Sequence, residues 1–303
     1  MGIPLKDKCK KYFSELLTVS RAPAKIDETN IYQEANPDVQ KLMYTLLEET
    51  VLPDSSVKNI EHFKAFYDAV VHGGKSGLIL AEHYTNLDLP AIFYLLNKNG
   101  GDWGKDLTNH IVAIAGLKLN EENPLVRAWA EGFTRVVIYP GSSLRKALSE
   151  LHTETEKVEE TKRARRINLG AMRVMDDCKK RGQAILVFPS GTRYRPGHPE
   201  TKRGLKEIDS YVRMFDVMLL VSINGNCLRI NPDHPNDMAM DLVERDTITI
   251  TASPVIECAD FRKNVLAEMS ETDGDRHQKV IDRIMSILDE QHDAAERARQ
   301  ETN

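Results

Sequence analysis

From residue 75 onward the chain repeats one texture, a short apolar run followed by an amphipathic stretch. The runs cover 76–81, 111–115, 135–139, 184–188, 217–223 and 247–251. Helical candidates lie between several of them, at 88–98, 122–132, 143–181 and 203–213. Runs this short and this apolar suit strands buried on both faces, and the stretches between them suit covering helices. The pattern predicts an α/β fold: a mostly parallel mixed sheet with helices on both faces. Such sheets bind ligands beyond the carboxyl ends of their strands, so functional residues should stand just after the runs. The run 247–251, Thr-Ile-Thr-Ile-Thr, alternates and predicts a less buried strand near an edge.

Residues 1–72 read differently. Tyr12, Phe13, Leu16 and Leu17 fall on one helical face, as do Leu42, Leu46, Leu47 and Val51. Gly73-Gly74 breaks the pattern, which predicts a smaller all-helical domain over 1–72 and an α/β domain over 73–303. From about Asp273 one amphipathic helix is expected on Val280, Ile281, Ile284, Ile287 and Leu288, with a fraying charged tail from His292 to Asn303.

Cys9, Cys178, Cys227 and Cys258 are dispersed and form no CxxC pair, so they read as small buried hydrophobes in a reducing compartment. The N-terminus has no apolar segment of a secretory leader. Met1-Gly2 begins as a myristoylation signal does, but Asp7 follows where Ser or Thr should stand nearby. The densest apolar run is too short to span a bilayer, so lipid would be met only at a surface. A soluble cytoplasmic or stroma-like compartment is expected. No metal-ligand set and no nucleotide fingerprint is visible, and no bound cofactor is expected.

Two segments carry chemistry. After the 76–81 run comes Glu82-His83-Tyr84-Thr85-Asn86-Leu87-Asp88, and a turn of four residues can fold Asp88 back to the His83 ring. Asp88 would then accept from one ring nitrogen while the other takes a proton from a hydroxyl. Asp88 could equally cap the next helix, with Pro90 in its first turn. After the 184–188 run comes Pro189-Ser190-Gly191-Thr192-Arg193-Tyr194-Arg195, a tight turn whose two guanidinium forks suit a phosphate or carboxylate. The other reading is a solvated turn whose arginines pair with nearby acids. A long helical stretch, 154–180, carries Glu159-Glu160-Thr161-Lys162-Arg163, a run that is usually a solvated face.

His83 with Asp88, followed by Phe188-Pro-Ser-Gly-Thr-Arg193, resembles the glycerolipid acyltransferases, whose motifs include a His-(four residues)-Asp pair. Most lysophosphatidate acyltransferases carry Glu where this chain has Ser190. The Pro-Ser-Gly-x-Arg-x-Arg turn, the Glu-Thr-Lys-Arg segment and the helical N-terminal region are more similar to the soluble chloroplast-type glycerol-3-phosphate acyltransferases. The resemblance covers roughly residues 75–230. It implies acyl transfer from a thioester, on acyl carrier protein or coenzyme A, to the 1-hydroxyl of glycerol-3-phosphate, the first step of phospholipid synthesis. His83 would be the base and Asp88 its orienter. Arg193 and Arg195 would hold the phosphate, with Ser190, Gly191 and Lys162 also at the substrate. One place departs: the plant-type enzymes carry Lys-His after the run matching 135–139, where this chain has Pro140-Gly141-Ser142-Ser143, with Arg145 and Lys146 slightly later; either those two supply the charge, Lys162 does, or the acceptor differs. A lysophosphatidate or lysophospholipid acceptor is the nearest alternative, and a non-catalytic binder of anionic lipid the alternative of another class.

The charge balance fits a small anionic substrate. The chain has 41 Lys+Arg against 46 Asp+Glu, net −5, which excludes a uniformly basic nucleic-acid binder. Residues 141–215 hold 17 Lys and Arg against 10 Asp and Glu, a balance of +7, while the remainder holds 24 against 36, or −12. An acidic acyl carrier protein or the phosphates of coenzyme A would suit the basic stretch.

Overall fold

The apolar runs fold as strands, and most of the stretches between them fold as helices. The computed structural model describes residues 2–235, 237–269 and 274–302. After a short strand (Ile3–Pro4) and one helical turn (Leu5–Lys8) come α1 (Lys10–Val19), β1 (Tyr32–Gln33), α2 (Pro37–Thr50), β2 (Ser56–Lys58) and α3 (Ile60–Tyr67). Next come β3 (Gly77–Ala81), α4 (Asp88–His110), β4 (Ile111–Gly116), α5 (Pro124–Ala130) and β5 (Arg135–Ile138). Two helices, α6 (Gly141–Glu150) and α7 (Glu154–Lys180), lead to β6 (Ala184–Val187), α8 (Asp209–Met214) and β7 (Val217–Asn224). The last elements are β8 (Thr249–Ala252), α9 (Cys258–Ala267) and α10 (Arg276–Thr302).

These elements form two compact units. One comprises Met1–Cys9, Tyr44–Ile111 and Gly182–Asn303, the other Lys10–Met43 and Val112–Arg181. The division does not fall at Gly73-Gly74, and residues 1–72 are not all helical. They supply the short strands β1, paired within the second unit, and β2, paired within the first. Two- and three-residue strands show no period of their own, so the backbone pairing that makes them is invisible in the local sequence.

In the first unit the strand order is β6-β3-β7-β8-β2. β3 runs parallel to both β6 and β7, with Leu78 opposite Ile185 and Met218. β8 is antiparallel to β7 and parallel to β2. All of β3 and β7 is buried, as their unbroken apolar sequence requires. β8 is buried throughout as well, despite its alternating sequence. It lies inside the edge strand β2, and α3 and α10 pack against it. Val280, Ile281, Ile284 and Leu288 of α10 are fully buried. This helix does not fray from His292 but continues to Thr302; the expected start Asp273 and end Asn303 lie outside the described residues. α4 runs past residue 98 through a kink at Gly101, whose φ of 58° suits glycine.

In the second unit the order is β1-β5-β4, with β5 parallel to β4 and antiparallel to β1. Ile26, Leu117, Val137, Tyr139, Ala164 and Ile167 pack as its core. Arg135 is fully buried here and donates to the carbonyls of Ala130 and Phe133 and to the Gln33 side chain. Burial pushes its pKa down to about 10, against the field of Glu131. The single helix expected over 143–181 is two, because Thr153 starts a new one. Its hydroxyl accepts the Glu156 N–H while the Glu156 side chain accepts the Thr153 N–H. Replacing Thr153 by Ala removes this cap and should cost about 1 kcal/mol, read as a lower denaturant midpoint.

All four cysteines are buried, and none forms a disulfide. Among the described residues no helix is long and apolar enough to cross a membrane.

Candidate active site

β3 ends at Ala81 and releases Glu82-His83-Tyr84 into a loop that closes on α4. Asp88 is the first residue of that helix, with Leu87 at the cap, and its side chain caps no helix amide. The carboxylate turns back into the loop instead. Its Oδ2 accepts the Tyr84 N–H at 2.5 Å, the Thr85 N–H at 2.8 Å and the His83 Nδ1–H at 2.9 Å. Its Oδ1 accepts the Thr85 hydroxyl at 3.2 Å. Asp88 is 4% exposed and sits at the positive end of α4, which suits an ionised carboxylate. With Nδ1–H committed to Asp88, the neutral His83 ring presents Nε2 as its acceptor.

The Phe188-to-Arg195 turn meets this loop. β3 and β6 are neighbouring parallel strands, so their carboxyl ends lie side by side. The His83 ring stacks on Phe188 with centroids 4.0 Å apart and planes 12° apart. The Tyr194 N–H donates to the His83 carbonyl at 2.7 Å. Gly191 closes the turn with φ 65°, its N–H donating to the Phe188 carbonyl at 2.9 Å. The Ser190 hydroxyl donates to the Thr192 carbonyl at 2.7 Å. Ser190 and His83 line one narrow cleft with Tyr84, Pro189, Tyr194 and Lys202.

The arginines are placed unequally. Arg193 is 8% exposed and donates to Asp241 at 2.5 Å; Asp241 itself is 1% exposed. Burial pushes the Asp241 carboxyl above its ordinary value, against the pull of Arg193. Arg193 is therefore engaged inside the protein. Arg195 is half-buried, and its backbone N–H donates to the Thr201 hydroxyl at 2.9 Å. Lys162 lies in the other unit, on the exposed face of α7, paired with Glu159 at 2.8 Å. The run around it carries pairs three residues apart, Lys157–Glu154, Lys162–Glu159 and Arg163–Glu160, and Arg163 turns inward to Glu121.

Sequence reasoning missed a second layer of the site. Buried Glu82 accepts the Tyr84 hydroxyl at 2.8 Å, the Ile223 N–H at 2.9 Å and His292 Nδ1–H of α10 at 2.9 Å. Lys202 lies 3.9 Å from Glu82 and 2.5 Å from Asp289, with its ammonium over the Tyr84 and Tyr194 rings. Burial and the Glu82 charge hold the Tyr84 phenol far above its ordinary value, so it stays a neutral donor. Nothing local signalled His292, which reads as part of a charged tail.

Burial opposes a charge on His292, but the Glu82 hydrogen bond and field outweigh it and raise its pKa above 6.5. A cation with a raised folded pKa contributes stability that is full below its unfolded pKa and is lost as pH rises through the folded one. His292→Gln should therefore narrow its stability gap to the parent protein as pH rises from about 6 to 8, measured by denaturant unfolding at each pH.

No protein-family model matches the chain, and no curated protein is similar to it. Among solved structures, the 1-acyl-sn-glycerophosphate (LPA) acyltransferase PlsC from Thermotoga maritima is similar at a TM-score of 0.41 and 14% identity. The similarity extends over 94% of this chain and 82% of that one.

Proposed function

We propose that the protein is an O-acyltransferase that moves a fatty acyl group from an acyl thioester to the 1-hydroxyl of glycerol-3-phosphate. The observation that carries this reading is the His83–Asp88 pair, fixed on Phe188 at a cleft beyond the carboxyl ends of two parallel strands. The thioester is carried on acyl carrier protein or coenzyme A.

The steps follow from the ring's orientation. Asp88 holds the proton on Nδ1, so Nε2 accepts the acceptor's O–H. The oxygen attacks the thioester carbonyl as its proton passes to Nε2, and a tetrahedral intermediate forms. Its collapse breaks the C–S bond, and the leaving thiolate takes the proton back from the imidazolium. Asp88 stabilises that imidazolium and remains ionised. No covalent acyl-enzyme is required, since the base acts directly on the acceptor. Arg193, through Asp241, fixes the turn that carries Phe188, Ser190 and Gly191 against the base. The neutral Ser190, in a place where most lysophosphatidate acyltransferases carry Glu, supports glycerol-3-phosphate over a lipid acceptor.

Product analysis with glycerol-3-phosphate and lysophosphatidate under one acyl thioester tests the reading. Acylated glycerol-3-phosphate is the expected product. Consumption of the lysophospholipid alone moves the assignment to a lysophosphatidate or lysophospholipid acyltransferase. Binding of anionic lipid with no turnover of either acceptor removes the enzyme in favour of a lipid-binding protein.

A further inference from the structure

The cleft beside His83 has a volume of about 10 Å³, room for about one water molecule. Sites that hold small molecules run to about 300–1,000 Å³. An acceptor and a thioester therefore reach the His83 ring only when a wall of the cleft moves.

Most of its walls are fixed. His83 and Tyr84 leave the end of β3 and are tied to Asp88 and Glu82. Pro189 and Ser190 belong to the turn that Arg193 anchors on buried Asp241. Met285 stands on α10, whose Ile281, Ile284 and Leu288 are fully buried. The Tyr194 N–H is bound to the His83 carbonyl.

Lys202 is the remaining wall, and the segment that carries it is held differently. Residues 196–200 are all exposed. Among the described residues, every hydrogen bond of 196–201 stays within 195–203. The His198 N–H donates to the Arg195 carbonyl at 2.9 Å, and the Thr201 hydroxyl donates to the His198 carbonyl at 2.6 Å. Firm points bound the segment on both sides: Tyr194 before it, and after it Gly204, whose carbonyl accepts the Gln278 amide of α10 at 3.0 Å. An exposed stretch whose hydrogen bonds are local can swing between two such anchors at low cost, because its own bonds travel with it.

Lys202 fastens this segment over the cleft. Its ammonium lies 2.5 Å from Asp289 of α10, 3.9 Å from Glu82, and 5.8 Å from the ring centroids of both Tyr84 and Tyr194. The Lys202 and Asp289 side chains are 31% and 47% exposed, so water replaces these contacts readily. They are strong enough to make the closed arrangement the resting one and weak enough to break on every cycle.

We propose that residues 195–203 form an entry gate to the base, latched by Lys202, which opens to admit the acyl thioester and its acceptor. The nature of those substrates rests on the acyltransferase reading; the gating of His83 does not.

Two measurements on the full chain test the gate. The first reads access to the ring without any substrate: carbethoxylation of His83 by diethyl pyrocarbonate, followed by peptide mass spectrometry, with His110 as internal reference. Lys202→Met keeps the bulk of the side chain and removes its charge. It should speed the reaction at His83 at least about threefold, the scale of losing an exposed ion pair together with a cation–π contact. The second measurement holds the gate shut. Lys202→Cys with Asp289→Cys, bridged by a short bis-methanethiosulfonate, should form almost no acylated product and should return to its unbridged rate when the bridge is reduced. The native cysteines are buried, which leaves the reagent to the new pair. Carbethoxylation at the parent rate in Lys202→Met, or undiminished turnover in the bridged protein, overturns the gate. Faster carbethoxylation in a protein that transfers no acyl group keeps the gate and loses the acyltransferase reading. Acyl transfer that the bridge leaves intact does the reverse.

Discussion

Turnover of acyl thioester in His83→Ala should fall by about 10²–10⁴-fold, the range for removing a positioned general base. The ring's contacts make this a clean substitution. Asp88 retains its two backbone amide donors, so the loop keeps its main restraint. What disappears is Nε2 and the stacked surface on Phe188. Asp88→Asn tests the role of the carboxylate charge separately. The Tyr84 and Thr85 amides hold the side-chain oxygen in the same place, so Nδ1–H keeps an acceptor and Nε2 stays free, while the negative charge that stabilises the imidazolium is lost. The kcat of Asp88→Asn should fall while the acceptor KM changes little. Thiol release under saturating acceptor reads both variants, and turnover in His83→Ala equal to the parent protein would sink the base assignment.

Arg193→Ala should be the most destabilising single substitution in the turn. It leaves Asp241 as a buried charge without its partner, which typically costs about 3–5 kcal/mol. At a few degrees per kcal/mol for a chain of this size, the thermal midpoint should fall on the order of 10 °C. Arg193→Met combined with Asp241→Leu should recover most of that loss, because two apolar side chains of similar volume carry no desolvation cost. The pair of experiments separates structure from recognition. If Arg193 only positions the turn, the double variant regains both stability and the acceptor KM. A double variant that regains stability but not KM would return Arg193 to direct contact with the phosphate.

The parts of this fold legible in the sequence are those whose causes are local. β3, β6 and β7 are buried on both faces, so their burial is written as unbroken apolar runs. His83 and Asp88 are five residues apart, and the loop that joins them is set by that spacing. β1 and β2 escaped because pairing with β5 and β8 makes them strands. β8 does lie next to the edge strand β2, but its threonines look solvent-facing, whereas helices pack against the strand and bury it. Arg193 looked like a ligand because its partner Asp241 is 48 positions away. His292 looked like tail for the same reason, being 210 positions from Glu82.

That last separation also sets the order in which the site can be built. β3 and the loop that carries His83 are synthesised before α10. At about 5–20 residues per second, 210 residues correspond to roughly 10–40 s of translation. Throughout that interval Glu82 lacks His292, while Ser222 and the Thr251 carbonyl wait 69 and 40 residues for the Gln291 amide that later binds them. The nascent chain therefore carries its base on an unfinished, apolar sheet face that invites chaperone contact. The layer behind the proposed base is complete only when α10 docks.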